Sequence, residues 1–200
     1  LIHTDARFST AIEAVVAEIE AATDAEIVVV AAPASGSYAD LAWALGAGAG
    51  VVTLAFLCWS PIVFDAWWFP VDVAVIGALV GWSLSSRPAV LARLAGEARR
   101  TRQVREAARA AFAEENVHAT PDRLGLLVYV SAAEARVELL PDHGLAARLP
   151  GDARRELQLS ASDLDNLVAG LRTLGAVLAR YVPATGANPN HIGDAPRVRG

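Results

Sequence analysis

The run Asp142-His143-Gly144 is the stretch of this chain best suited to chemistry. Glycine there permits a tight turn, and the neighbouring carboxylate is a hard oxygen donor of the kind divalent cations take. An ordinary Asp/Gly turn uses the same residues, so Asp142 stands as a candidate metal ligand and His143 as a solvent-facing turn residue. Asp163-Leu164-Asp165 has the spacing of the paired aspartates of a phosphatase nucleophile. It opens a helical pattern instead of following an apolar strand, and no Thr or Val follows it, so helix capping is the expectation. Cys58, the single cysteine, lies within an apolar run that offers neither water nor a phosphate cradle. One cysteine also excludes a disulfide framework and a cysteine zinc set. The four histidines (His3, His118, His143, His191) have no metal spacing. Without a nucleophile–base pair or a Gly-rich phosphate loop, no catalytic set is legible, and the catalytic residues stay unknown.

The elements that must position these residues are arranged around Leu41–Ser86. Leu41 to Phe64 is 24 residues without a charged side chain, long enough for a hydrocarbon core of ~30 Å at ~1.5 Å per residue. After Asp65 the apolar character resumes at Ala66 and runs to Ser86, broken only by Asp72, which belongs at headgroup depth. The reading is a transmembrane helical hairpin, about 41–60 and 69–84, with a proline-flanked linker between. All five tryptophans (Trp43, Trp59, Trp67, Trp68, Trp82) fall at the ends of the two runs, where an aromatic belt belongs. The linker has no Arg or Lys, whereas Arg87, Arg93, Arg99, Arg100, Arg102 and Arg105 follow the second run. Basic flanks stay cytoplasmic, so the expectation is a multi-pass protein of the cell (inner) membrane with both termini in the cytoplasm. The spans offer little polar lining beyond Thr53 and Ser83, which argues against a pore.

Composition points the same way. The hydrophobic fraction is 54%, more than a soluble domain needs, and removing the hairpin leaves about 150 residues, one domain's worth. A net charge of −5 excludes a nucleic-acid binder, and the seven arginines from Arg87 to Arg109 are better read against anionic headgroups. There is no Met and no Lys; Leu1 is expected to be an alternative start translated literally, with no signal peptide ahead of the first helix.

The polar portions read as one domain in two pieces, 1–36 and 87–182, interrupted by the hairpin at 37–86. Residues 8–22 carry the apolar stripe Phe8, Ile12, Val15, Val16, Ile19 at helical spacing, with Thr10 and Glu13 at capping-box distance. Glu26-Ile27-Val28-Val29-Val30-Ala31-Ala32 is a strand covered on both faces, and Ser35-Gly36-Ser37 a hinge. A helix is expected over 88–115, a buried strand over 124–130, and a partly exposed strand from Glu134 to Leu140. The last helix is expected over 161–181, capped by Ser160 or Ser162, and 183–200 as an irregular tail. Two apolar strands joined through a helix imply a parallel crossover, hence a small α/β/α sandwich.

The segments Glu26-Ile27-Val28-Val29-Val30, Leu124 through Glu138, and Asp142-His143-Gly144-Leu145 resemble the TPM domain. The motif positions are Glu26, Ser131, Glu134, Arg136, Asp142 and Gly144. Relatives of that family include a proposed acid phosphatase of the thylakoid lumen, photosystem II repair factors and an acetylcholine-receptor accessory protein. The endings Leu178-Ala179-Arg180-Tyr181-Val182-Pro183 and Asn190 through Pro196 resemble bacterial members with an internal membrane hairpin. The likeness covers roughly 8–32 and 100–196. It departs at Gly151–Gln158, short and Arg-rich where the family would carry an aromatic residue. The resemblance implies an α/β sandwich, in some members with bound calcium or another divalent cation. Two functions are therefore expected: a membrane-anchored, non-catalytic factor for assembly, repair or regulation of another membrane protein, or a metal-assisted phosphatase using Asp142.

Overall fold

The computed structural model of the chain describes residues 6–61, 65–120, 122–151, 159, 161, 163–185 and 195–199. In chain order the elements are α1 (Ala6–Ala22), β1 (Glu26–Ala32), α2 (Ala39–Trp59), α3 (Phe69–Ser85), α4 (Pro88–Leu94), α5 (Glu97–Glu114), β2 (Gly125–Ser131), β3 (Arg136–Pro141), α6 (His143–Arg148), α7 (Leu164–Tyr181) and β4 (Arg197–Val198). They form two compact units: Leu1–Ser35 with Thr101–Gly200, and Gly36–Arg100.

The first unit is built on two strands that are buried at every position. β1 and β2 pair parallel from Glu26↔Gly125 to Ala32↔Ser131. Because side chains alternate across a strand, each strand feeds two cores. Ile27, Val29, Leu126 and Val128 pack with Phe8, Ile12 and Ile19 of α1 and Leu167, Leu171 and Leu174 of α7. Val28, Val30, Leu127 and Tyr129 pack against Val104, Ala108 and Ala111 of α5. Helices thus cover both faces, giving an α/β/α sandwich whose apolar strand runs have no solvent side. β3 pairs antiparallel on β2, and β4 pairs parallel on β1, in the order β3-β2-β1-β4. The five stripe residues of α1 are its buried residues.

Several expectations need correction. The helix expected over 88–115 is two, α4 and α5, because Gly96 takes φ +82, a conformation glycine reaches freely and one that ends helices. The second compact unit runs through α4 and into the first residues of α5, to Arg100. Thr10 is no cap: its hydroxyl donates to the Ala6 carbonyl one turn back. Glu134 is not on β3, which begins at Arg136. α7 begins at Leu164, capped by Asp163, whose Oδ1 accepts from the Asn166 N–H at 2.8 Å; Ser160 and Ser162 lie outside the described residues. The tail is not wholly irregular, since Arg197–Val198 extends the sheet and the Arg199 N–H donates to the Ala31 carbonyl. A two-residue strand is too short to leave a periodic signal.

In the second unit α2 and α3 pack antiparallel through glycines. A Cβ added at Gly46 would lie 2.5 Å from the Gly77 carbonyl oxygen, and one at Gly50 3.2 Å from that of Val73. Gly48 has nothing within 4 Å on that side. Among the described residues only α2, at 21 residues, is long and apolar enough to cross a membrane by itself; α3 reaches that length only together with α4, across a bend of 98°. Leu91 and Ala92 of α4 pack with Tyr38 and Ala42 at the start of α2.

Candidate functional site

The motif positions divide between the two ends of the sheet. Ser131 closes β2, Arg136 sits opposite it on β3, and Glu134 lies in the turn between. Glu26 and Gly125 sit opposite each other at the other end, and the Asp142 N–H donates to the Gly125 carbonyl. Six residue steps of ~3.3 Å separate these ends, roughly 20 Å. No single small-molecule site can use both sets.

At the C-terminal ends of the parallel strands the sequence has buried a carboxylate. Glu134 is 1% exposed and Ser131 fully buried. The Ser131 hydroxyl donates to Glu134 Oε2, and the Ser35 N–H donates to both carboxylate oxygens at 3.3 and 3.1 Å. Ser35 Oγ lies 2.7 Å from Ser131 Oγ and 3.4 Å from the Tyr129 hydroxyl. A charge taken out of water must be paired or hydrogen-bonded, and here it is met by a backbone amide and a chain of hydroxyls. The chain Ser35–Ser131–Glu134 has the form of a proton relay ending on a base. A nucleophilic serine also needs N–H donors aimed at a developing oxyanion, and the Ser35 N–H is already committed to Glu134. The cluster is built as an anchor: it fixes the segment after β1 to the turn after β2. In the sequence Ser35 reads only as part of a hinge, and Tyr129 as one residue of an apolar strand. The signal for Ser35 was a hydroxyl placed right after a buried strand.

At the opposite end Asp142 caps α6. Its Oδ1 accepts from the His143 N–H at 2.7 Å, while Oδ2, buried and without a hydrogen bond, lies 3.6 Å from the Arg123 guanidinium. Gly144 is there for space, because a Cβ would run into the carbonyls of Asp122 and Arg123. Gly125 is in the same position against the Val117 carbonyl. Among the described residues no three His, Cys, Asp or Glu side chains are grouped to hold a metal. Asp142 brings one carboxylate to this end of the sheet, beside the Arg123 guanidinium. Asp163 and Asp165 serve the start of α7. Cys58 is exposed near the end of α2. His3, His191 and the segment 152–158 lie outside the described residues.

In the second unit Arg99 grips the chain at the entry to α2. Its guanidinium meets Asp40 through two bonds of 2.9 and 2.8 Å, donates to the Ser37 carbonyl at 3.2 Å, and stacks over the buried Tyr38 ring at 5.3 Å. The Asp40 hydrogen bond raises the Arg99 pKa above its already high ordinary value. Beyond this clamp, the outer surface of α2 and α3 is apolar. A recess of about 470 Å³ between them has Gly50 and Gly77 in its wall.

No family model matches the chain, and no curated protein matches it. Among solved structures it is similar to BA42 protein from the psychrophilic bacterium Bizionia argentinensis, determined by NMR. The TM-score is 0.56 at 15% identity, over 98% of this chain and 94% of that one. At that identity the likeness speaks for the fold alone.

Proposed function

We propose that this chain is a membrane-anchored TPM-like α/β domain whose α2–α3 hairpin crosses the bilayer. On this reading it serves the assembly, repair or regulation of another membrane protein in the cell (inner) membrane, and it carries out no catalysis of its own. The observation that carries the reading is the hairpin's exterior. Of the large apolar residues exposed among the described residues, all but Val90, Leu94 and Val198 lie between Trp43 and Trp82. Val51, Val52, Phe56, Leu79 and Trp82 are each more than half exposed, while the face between the helices is glycine packed on backbone. A core helix of a soluble protein would be inverted, with its large side chains inside. Small residues at the helix contact and large apolar ones outside are the arrangement lipid demands. The sheet supports a double crossing, because 26–32 and 125–131 pair in one sheet and cannot stand on opposite sides of a bilayer.

Membranes holding the full chain, washed in alkaline carbonate, should keep it in the pellet; release to the supernatant would overturn the anchor. The reconstituted chain should not turn over an aryl phosphate with calcium present. Turnover that is lost in Asp142→Ala would overturn the non-catalytic reading.

A further inference from the structure

We infer that α4 is an interfacial helix that lies flat on an anionic bilayer surface, with Val90 and Leu94 sunk at the boundary between headgroups and acyl chains. The inference rests on the reading of α2–α3 as a membrane hairpin. Four observations within the second unit converge on it. The chain turns through 98° between α3 and α4, so a helix continuing from a span near the membrane normal runs close to the membrane plane. Ser85 and Ser86 make that turn possible at a water–lipid boundary. Their hydroxyls donate to the carbonyls of Trp82 and Ser83 at 2.7 and 2.8 Å, satisfying groups that the end of a helix leaves open.

The depth of α4 is set by what lies beneath it. Its inner face, Leu91 and Ala92, packs on Tyr38, Ala42 and Leu84, residues at the entry of the first span and the exit of the second. That is the level of the interface, and Trp43 and Trp82, both exposed, stand at the same ends of the two helices. The outer face has the wrong composition for water. Val90 is 42% and Leu94 59% exposed, and the spacing of four puts them side by side on one strip. Arg87 and Arg93 are exposed at neighbouring positions.

Charge identifies the occupant. Arg99, Arg100, Arg102 and Arg105 each have a carboxylate partner: Asp40, Glu97, Glu106 and Glu138. No ion pair engages Arg87 or Arg93 among the described residues, so on this exposed strip their charge faces solvent, open to an anionic ligand. An apolar strip bordered by uncommitted arginines fits the anionic lipid surface, where basic residues meet phosphates and the apolar side chains enter below them. The surface is also continuous with the span itself, so no separate docking event is needed.

The test uses the full chain with Cys58→Ser, reconstituted into vesicles of phosphatidylcholine with three-tenths phosphatidylglycerol, and single spin labels at Val52→Cys, Val90→Cys, Leu94→Cys and Ala110→Cys. Collision with oxygen against a water-soluble nickel chelate reports depth. Labels at 90 and 94 should favour oxygen several-fold over the label at 110 while staying shallower than the label at 52. If 90 and 94 match 110 while 52 lies in lipid, α4 faces water or awaits a protein partner, and the inference fails alone. If 52 also reads as aqueous, the hairpin reading itself fails. In vesicles of phosphatidylcholine only, the labels at 90 and 94 should rise toward water, and Arg87→Gln with Arg93→Gln should erase the difference between the two lipids. A difference that survives the double substitution would overturn the role of the arginines.

Discussion

Glu134 is the residue whose place in the molecule departs most from what its type suggests. A glutamate in a Ser-Ala-Ala-Glu-Ala turn reads as solvated, because isolated carboxylates are rarely buried. Here the turn, closed by Ala135 at φ +50, directs it inward to Ser131 and the Ser35 amide. Glu134→Ala should strand the half-buried Ser35 amide and the buried Ser131 hydroxyl, costing about 1–3 kcal/mol. Denaturant midpoints of the full chain in detergent would show it. Hydrogen exchange at the Ser35 amide should quicken with it, whereas a residue that merely sits in a turn would leave that amide unchanged. Asp142→Ala loses a cap on a short helix of six residues, worth roughly 1 kcal/mol, so a small loss in the same measurement is expected. The candidate residues were legible as positions but not as a site. Glu26, Ser131, Glu134 and Asp142 could all be picked from the sequence, but only strand length and register reveal that they occupy opposite ends of the sheet.

At the scale of elements, legibility followed the strength of the periodic signal. The stripe of α1 and the apolar runs of β1 and β2 are long and unbroken, so burial could be read directly from them. Helix α4 merges with α5 in the sequence because the run is rich in Ala and Arg, strong helix formers, and Gly96 is a single, weak stop signal between them. The glycines of α2 show how far composition goes and where geometry must finish the argument. Gly46, Gly48 and Gly50 look alike in sequence, but Gly46 and Gly50 meet backbone of α3 and Gly48 meets nothing. Gly46→Ala should therefore push the helices apart and lower the detergent midpoint of unfolding, overpacking of this kind costing about 1–3 kcal/mol. Gly48→Ala should be neutral or slightly stabilising through helix propensity. Equal effects at the two positions would mean that α2 and α3 do not pack on this face. β4 offers a parallel case at the sheet edge. Arg197 within it and Arg199 just after it pair with Glu115 and Glu114 at 2.7 and 2.6 Å, so deleting 195–200 should uncover the edge of β1 and destabilise the fold by roughly 1–2 kcal/mol.

At the scale of the whole molecule, the sheet constrains the membrane more tightly than any hydropathy measure does. Glu26–Ala32 and Gly125–Ser131 are hydrogen-bonded neighbours over seven residues. Whatever side of a bilayer holds one must hold the other, so a chain that crosses between them, as proposed, must cross an even number of times. α2 alone could cross once, but a single crossing is incompatible with the sheet. On the proposed reading α3 makes the return; at 17 residues it stands at the short limit of a span. Short spans are accommodated by local thinning and by flanking residues that reach the interface. For the proposed hairpin, orientation is expected from charge: six arginines lie between Arg87 and Arg105 and none between Pro61 and Pro70. Dragging such a flank through hydrocarbon costs several kcal/mol per charge. Reporters that fluoresce only in the cytoplasm, fused after Gly36 and after Gly200, should therefore both be bright. One bright and one dark would break the even-crossing rule and with it the single sheet. Both dark would keep the sheet and the hairpin but place the sandwich outside, against the arginine flank.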